Sequence, residues 1–276
     1  VDVFTNKKLS GNGLTIFYDF DYLSTDKMLS LTQEMRQFES IFVTRKNNDF
    51  YARIFTLDEE LDFAGHPLIG LAAHLHEEYS DEQTDTWEII LNKKSVKLTT
   101  KVLADYYEVT MEQGRPEFIN ALTVAESAAF LSALNLNSTQ VANYPLEVIS
   151  TGLPYLIIPI KSGIDSVRVC HNNLEVLLAE YSAKFVYIID TQTFEGRTWD
   201  NQGKVEDIAT GSAAGPVGAF LYKHNLVSAG ESFIIKQGRF LTRPSEIKVI
   251  IKPQKNDFYH LSVTGQVCKI ANVEFV

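Results

Sequence analysis

The chain has 276 residues, 45% hydrophobic and 22% charged, enough apolar material for one large or two small globular cores. A net charge of −10 speaks against a nucleic-acid or anionic-membrane surface. There are two widely separated cysteines, Cys170 and Cys268, and no apolar run of about 20 residues, which together point to a cytoplasmic protein in a reducing compartment.

Val1–Phe4 reads as a strand, the Gly11-Asn12-Gly13 run as a turn, and Leu14–Tyr18 as the next strand. Ser24 is a good N-cap for a helix reaching about Phe38, with Met28, Leu29, Leu31 and Met35 at helical spacing. Glu39 follows at once, ahead of the apolar strand Ile41-Phe42-Val43. A carboxylate wedged between Phe38 and Ile41-Phe42 is poorly solvated, the setting in which carboxyls are tuned for proton transfer. Tyr51–Phe55 is a further strand, and Pro67 to about Glu78 a helix. Pro67 is expected at its first position, and His74 and His76 read as surface or packing residues. Trp87–Leu91, Ser95–Thr99 and Tyr106–Met111 alternate as antiparallel strands.

Gly114-Arg115-Pro116 breaks the pattern and is read as a hinge between an N-terminal half, 1–113, and a C-terminal half, 114–276. In the second half, Asn120–Leu134 reads as helical, Glu147–Thr151 and Tyr155–Pro159 as strands, Leu174–Tyr181 as a helix and Phe185–Asp190 as a buried strand. A helix then starts at Thr210-Gly211-Ser212, with Ser212 expected as its N-cap. Ser232–Ile235, Glu246–Ile251, Tyr259–Val263 and Val267–Ile270 close the chain as strands, the last of them a candidate to return to the first half.

The two glycine motifs lie over one another. Ala64-Gly65-His66 matches Thr210-Gly211-Ser212, and upstream Arg53-Ile54-Phe55 matches Arg197-Thr198-Trp199 at nearly the same offset. The fold class expected is therefore α+β, with two pseudo-symmetric halves. Each is a curved, mostly antiparallel sheet around a central helix, starting near 66 in one half and near 212 in the other. Two helix N-termini aimed at a shared cleft would bind a small anion.

Several chemistries find no support. There is no phosphate-loop signature, no nucleophile elbow, and no His/Cys/carboxylate cluster recognised with zinc or iron spacing, so neither a metal nor a cofactor is expected. What remains is a carboxylate, a histidine, an aspartate and two helix starts, which suit proton abstraction beside a carboxylate.

At these residues the sequence resembles the PhzF-like (phenazine biosynthesis-like) isomerases, within the diaminopimelate epimerase-like fold. The matching pieces are Gly11-Asn12, Glu39–Val43, Arg53–Thr56, Glu60–Pro67, Glu206–Ala213, Gln237-Gly238 and Arg243–Ser245. The resemblance implies an active site between two halves, a homodimer and no cofactor. It carries Glu39 over as general acid/base, and His66 and Asp207 as catalytic partners. Gly65, Thr210, Gly211, Ser212 and Asn12 become substrate-binding residues. The related epimerases place a cysteine at each helix start, where this chain has His66 and Ser212. Ala214, Ile208 and Gly13 also depart from common family residues, which speaks against the phenazine precursor as substrate. The expectation is an isomerase shifting a proton within a small carboxylate-bearing metabolite. The alternatives are an epimerase, or a silent protein binding a metabolite or a partner.

Overall fold

The computed structural model describes residues 1–254 and 259–274. The chain divides into two compact units, one built from Val1–Glu112 with the described residues from Thr264 on, the other from Gln113–Val263.

In the first unit the strands are β1 (Asp2–Val3), β2 (Asn12–Gly13), β3 (Thr15–Tyr18), β4 (Glu39–Lys46), β5 (Asp49–Thr56), β6 (Glu60–Leu61), β7 (Thr84–Ile90), β8 (Ser95–Leu103) and β9 (Tyr106–Gly114). Its helices are α1 (Thr25–Met35) and α2 (Gly65–Tyr79). β3 runs parallel to β4, β4 antiparallel to β5, and β7, β8 and β9 form an antiparallel run. Ser24 caps α1 as expected, its hydroxyl accepting from the Lys27 N–H at 3.3 Å.

β4 is buried on both faces from Glu39 to Thr44. Side chains alternate along a strand, so Phe42 faces α1 and joins Phe17, Phe20, Met28 and Phe55. Phe17 stacks on Phe42 with centroids 4.5 Å apart. Glu39, Ile41 and Val43 take the opposite face, against α2. That helix is buried at every residue from Gly65 to His76, as an all-round apolar helix must be. Gly70 keeps it close to the strands, since a Cβ there would lie 2.5 Å from Leu14 Cδ2.

The second unit comprises β10 (Glu117–Ala121), α3 (Val124–Ala133), β11 (Glu147–Ser150), β12 (Pro154–Ile160), α4 (Leu174–Ala179), β13 (Phe185–Asp190), β14 (Gly196–Arg197), α5 (Gly211–Lys223), β15 (Ser232–Gln237) and β16 (Ser245–Pro253). One sheet has the order β10-β11-β12-β13-β14, with only β12–β13 parallel, and β15 pairs antiparallel with β16. α3 and α4 supply Phe130, Leu174 and Leu178 to a core with Val148, Leu156, Ile158 and Ile188. α5 is buried from Gly211 to Leu221. The last strand, β17 (Tyr259–Cys268), crosses from the second unit into the first, where Asp2 and Val3 pair with Cys268 and Val267.

Four local expectations are corrected. Asn120–Leu134 is not one helix: Glu117–Ala121 is an edge strand, and the helix begins after Thr123, whose hydroxyl and the Glu126 carboxylate form a reciprocal cap. Pro67 is the third residue of α2, not the first; the helix starts at Gly65, and Pro67 is still within the turn whose N–H groups have no intrahelical acceptor. Ser212 is not an N-cap. α5 begins at Gly211 after Thr210, and Ser212, already inside the helix, turns its hydroxyl to Tyr155. Tyr259–Val263 and Val267–Ile270 are not separate strands, because β17 runs unbroken through Thr264-Gly265-Gln266. Gly265 lets it pass Phe4, whose Cδ1 would lie 2.6 Å from an added Cβ.

Candidate active site

In the first unit the decisive contact joins Glu39 to His66. Glu39 opens β4 on the face turned to α2, and His66 is the second residue of that helix, with Nδ1 2.8 Å from Glu39 Oε2. Both are buried, at 6% and 2% exposure. The far nitrogen of the same ring, Nε2, is buried with no hydrogen-bond partner among the described residues. A carboxylate on Nδ1 fixes the imidazole's orientation and tautomer, which aims Nε2 as a polar group with its valence unspent. Ala64 precedes the helix without a side-chain cap, so the first-turn amides, Gly65 among them, have no capping oxygen. Asn12 is 1% exposed in β2, paired with Val3.

Arg53 and Glu60 prepare this start. The guanidinium on β5 grips Glu60 with two hydrogen bonds, one of 2.8 Å from Nε. That bond, together with the Asn92 amide, holds the Glu60 carboxyl below the usual carboxylate range. Glu60 stands five residues ahead of Gly65. The second unit repeats the device: Arg197 forks onto Glu206 at 2.7 and 2.8 Å, and Glu206 stands five residues ahead of Gly211. The duplication read from glycines and arginines is thus also a duplication of ion pairs.

Beyond Glu206 the second unit builds a different site. Asp207, 3% exposed, accepts from the Thr210 hydroxyl at 2.6 Å, and its backbone N–H donates to Thr198 O. Gln237 closes the loop. Its amide nitrogen donates to Asp207 O and Thr210 Oγ1, at 2.8 and 3.0 Å, while its oxygen accepts from Thr210 N and the Tyr187 hydroxyl. Burial first, and then the Asp207 charge, pushes the Tyr187 phenol well up, so it stays a donor. Ser212 Oγ lies 2.7 Å from Tyr155 OH, and Gln113 donates to Gly211 O at 2.7 Å. Thr210 gives the helix no side-chain cap, matching α2.

Every site residue expected from the sequence lies at or beside one of these two helix starts or on β2. Gln237, Tyr187, Tyr155 and Gln113 were missed as site residues. Tyr187 and Tyr155 lie among apolar strand neighbours, while Gln237 and Gln113 each stand before a glycine near a strand end, and nothing in their local spacing marks them as polar clamps. A further group also escaped notice: His74, Glu77 and Glu78 have ligand atoms mutually within 4.8 Å.

Comparison with known proteins decides the family. The model of the PhzC-PhzF family, the phenazine biosynthesis-like proteins, matches residues 1–272. The chain belongs to that family. A trans-2,3-dihydro-3-hydroxyanthranilate isomerase from Pseudomonas aeruginosa is 31% identical over 264 residues, covering 90% of this chain and 87% of the relative. Among solved structures, a predicted epimerase from Pseudomonas aeruginosa has 40% identity and a TM-score of 0.89, with 98% of each chain covered. A phenazine biosynthesis protein of the PhzF family from Bacillus anthracis superposes at a TM-score of 0.81 with 21% identity, over 98% of this chain and 97% of that one. This PhzF-like chain is an isomerase with the diaminopimelate epimerase-like α+β fold. Among the described residues no helix is long and apolar enough to cross a membrane.

Proposed function

We propose that this PhzF-like isomerase moves a proton within a small carboxylate-bearing metabolite, without a cofactor, using Glu39 as general acid and base. The observation that carries the reading is the buried Glu39–His66 pair, with the orphaned Nε2 beyond it. Glu39 takes the proton from carbon and returns it at another position. His66 holds the carboxylate by its Nδ1–H and offers Nε2 to a polar group of the substrate. In water such a carboxylate would be solvated and mobile. Here its orientation is fixed before substrate arrives, which is where a general base gains its effect.

The second unit has the complementary role in this proposal. Asp207, held by Thr210 and by Gln237, orients a substrate polar group, and the uncapped start at Gly211 and Ser212 binds the anionic end. Gly65 and Asn12 are assigned to substrate binding in the same way. A homodimer and a cytoplasmic setting complete the proposal, as expected of the family resemblance.

The test is solvent deuterium exchange into candidate amino, hydroxy and cyclic carboxylates, followed by NMR, for wild type and Glu39→Gln. Wash-in at carbon by wild type and its loss in Glu39→Gln is the expected result. Exchange that survives Glu39→Gln removes Glu39 as the base. The 40%-identical predicted epimerase favours a second reading, inversion at one centre. The same spectra separate the two, because inversion places solvent deuterium on the carbon that lost the proton and a shift places it on another.

A further inference from the structure

We propose that Gln237 and Tyr187 are positioning residues for the isomerase: they set where Asp207 points, and neither touches substrate itself. The inference rests on the role given to Asp207 above and adds what holds it in that role. Gln237 is 1% exposed and uses its whole amide inside the protein. Nε2 donates to Asp207 O and Thr210 Oγ1, while Oε1 accepts from Thr210 N and the Tyr187 hydroxyl. A side-chain amide has two N–H donors and two carbonyl lone pairs, so none is left for a ligand.

The direction of each bond follows from the two backbone partners. Asp207 O can only accept and Thr210 N can only donate, which decides the end of the amide that faces each. Thr210 Oγ1 therefore accepts from Gln237, and its own hydrogen goes to Asp207 Oδ2 at 2.6 Å. Burial first, and then the Asp207 charge, keeps the Tyr187 phenol protonated, so a donor heads the chain. Three hydrogen bonds lead from Tyr187 through Gln237 and Thr210 to Asp207. They end on a carboxylate oxygen held as an acceptor.

Two glycines make room for this chain. On β13, Val186 and Ile188 face the apolar core, and Tyr187 takes the opposite face with no exposure at all. Gly196 on β14 lies against its ring, and a Cβ there would overlap the hydroxyl oxygen. Gly238, next to Gln237, has a φ of +80°, and a Cβ there would overlap Arg243 O and Ile208 O. Ile208 is the residue after Asp207, so the end of β15 is packed directly on the loop it holds. For stability alone a phenylalanine would fill the place of Tyr187, since a buried hydroxyl has to find a partner. The partner it has found leads to Asp207.

The experiment is a double-mutant cycle, read as deuterium exchange from D2O into the amino, hydroxy and cyclic carboxylates named above. Crystal structures of the variants accompany it. Gln237→Met should lower the exchange rate by about 10²-fold, the scale of a misplaced reacting group. Tyr187→Phe should lower it by about tenfold, roughly one buried hydrogen bond, and it serves if Gln237→Met fails to fold. In an Asp207→Asn background each change should cost no more than about twofold, because its effect passes through Asp207. A purely structural role predicts that the losses multiply, and that result overturns the proposal. Exchange slowed by Asp207→Asn but not by Gln237→Met or Tyr187→Phe also overturns it, and leaves the role of Asp207 standing. Exchange by wild type that survives Asp207→Asn removes the role of Asp207 itself. Where wild type exchanges none of the carboxylates, the crystal structures decide: an Asp207–Thr210 bond unchanged in both Gln237→Met and Tyr187→Phe overturns the proposal, and a displaced Asp207 carboxylate supports it.

Discussion

The starts of α2 and α5 are two versions of one design. Each follows an Arg–Glu fork, begins at a glycine and lacks a side-chain cap. They differ in what the next residue meets. His66 meets the carboxylate of Glu39, so the first start holds two titratable groups in contact. Ser212 meets the phenol of Tyr155, and Asp207 nearby is tied down by Thr210 and Gln237. The first arrangement can relay a proton, while the second is rigid and polar. The comparison teaches that one backbone device was repeated, while the side chains beside it diverged.

Removing the carboxylate proposed as general base should have the largest consequence. Glu39→Gln is expected to lower kcat by about 10²–10⁴, the usual worth of a positioned general base, with little change in thermal midpoint. A steady-state assay on whichever carboxylate exchanges deuterium checks it, and a loss below tenfold would put the two starts on an equal footing.

The forks differ in burial, and stability should register that. Arg197 is 9% exposed at its side chain and also donates to Ile164 O and Val167 O, at 2.9 and 3.0 Å, while Arg53 is 22% exposed. Arg197→Met strands a buried carboxylate and two carbonyls, for about 3–5 kcal/mol. Arg53→Met should cost about 1 kcal/mol. Urea midpoints measure both, and equal losses would show that burial does not separate the forks.

A smaller effect belongs to the rigid start. Ser212→Ala should raise KM about tenfold, roughly one hydrogen bond to a charged group, with kcat nearly kept. The opposite split would move Ser212 into the chemical step.

The smallest effect is a pH dependence. Glu60 has its folded value depressed, by Arg53 first, so its contribution to stability is present above the ordinary carboxylate value. It is lost as pH falls through the depressed one. Between neutral and acid pH, Glu60→Gln should therefore show a shallower fall in thermal midpoint than wild type.

The fold was legible in the sequence because its signals were periodic or repeated. Gly65 and Gly211, with the arginines upstream, reported the duplication and with it a central helix in each half. Glu39 and His66 were legible as site residues, but their pairing was not, since 27 positions separate them and only the fold brings them together. Gln237 and Tyr187 were not legible, because a polar residue that closes a buried network looks like any strand residue until its partners are known. Ser212 misled for a related reason: its type suits a cap, but Tyr155 offered its hydroxyl a buried partner instead.

β17 imposes an order on synthesis. The first unit contains the opening hundred or so residues, yet Cys268 and Val267 complete its β1, and the Cys268 thiol reaches Thr5 O. A ribosome adding about 5–20 residues per second therefore holds that unit without its closing strand while it makes everything between. The Gln113–Val263 segment has no such debt to the opposite end of the chain. The later-made unit is then the one that can reach its native state first, and a fragment ending at Glu112 should remain unfolded where one spanning Gln113–Val263 does not.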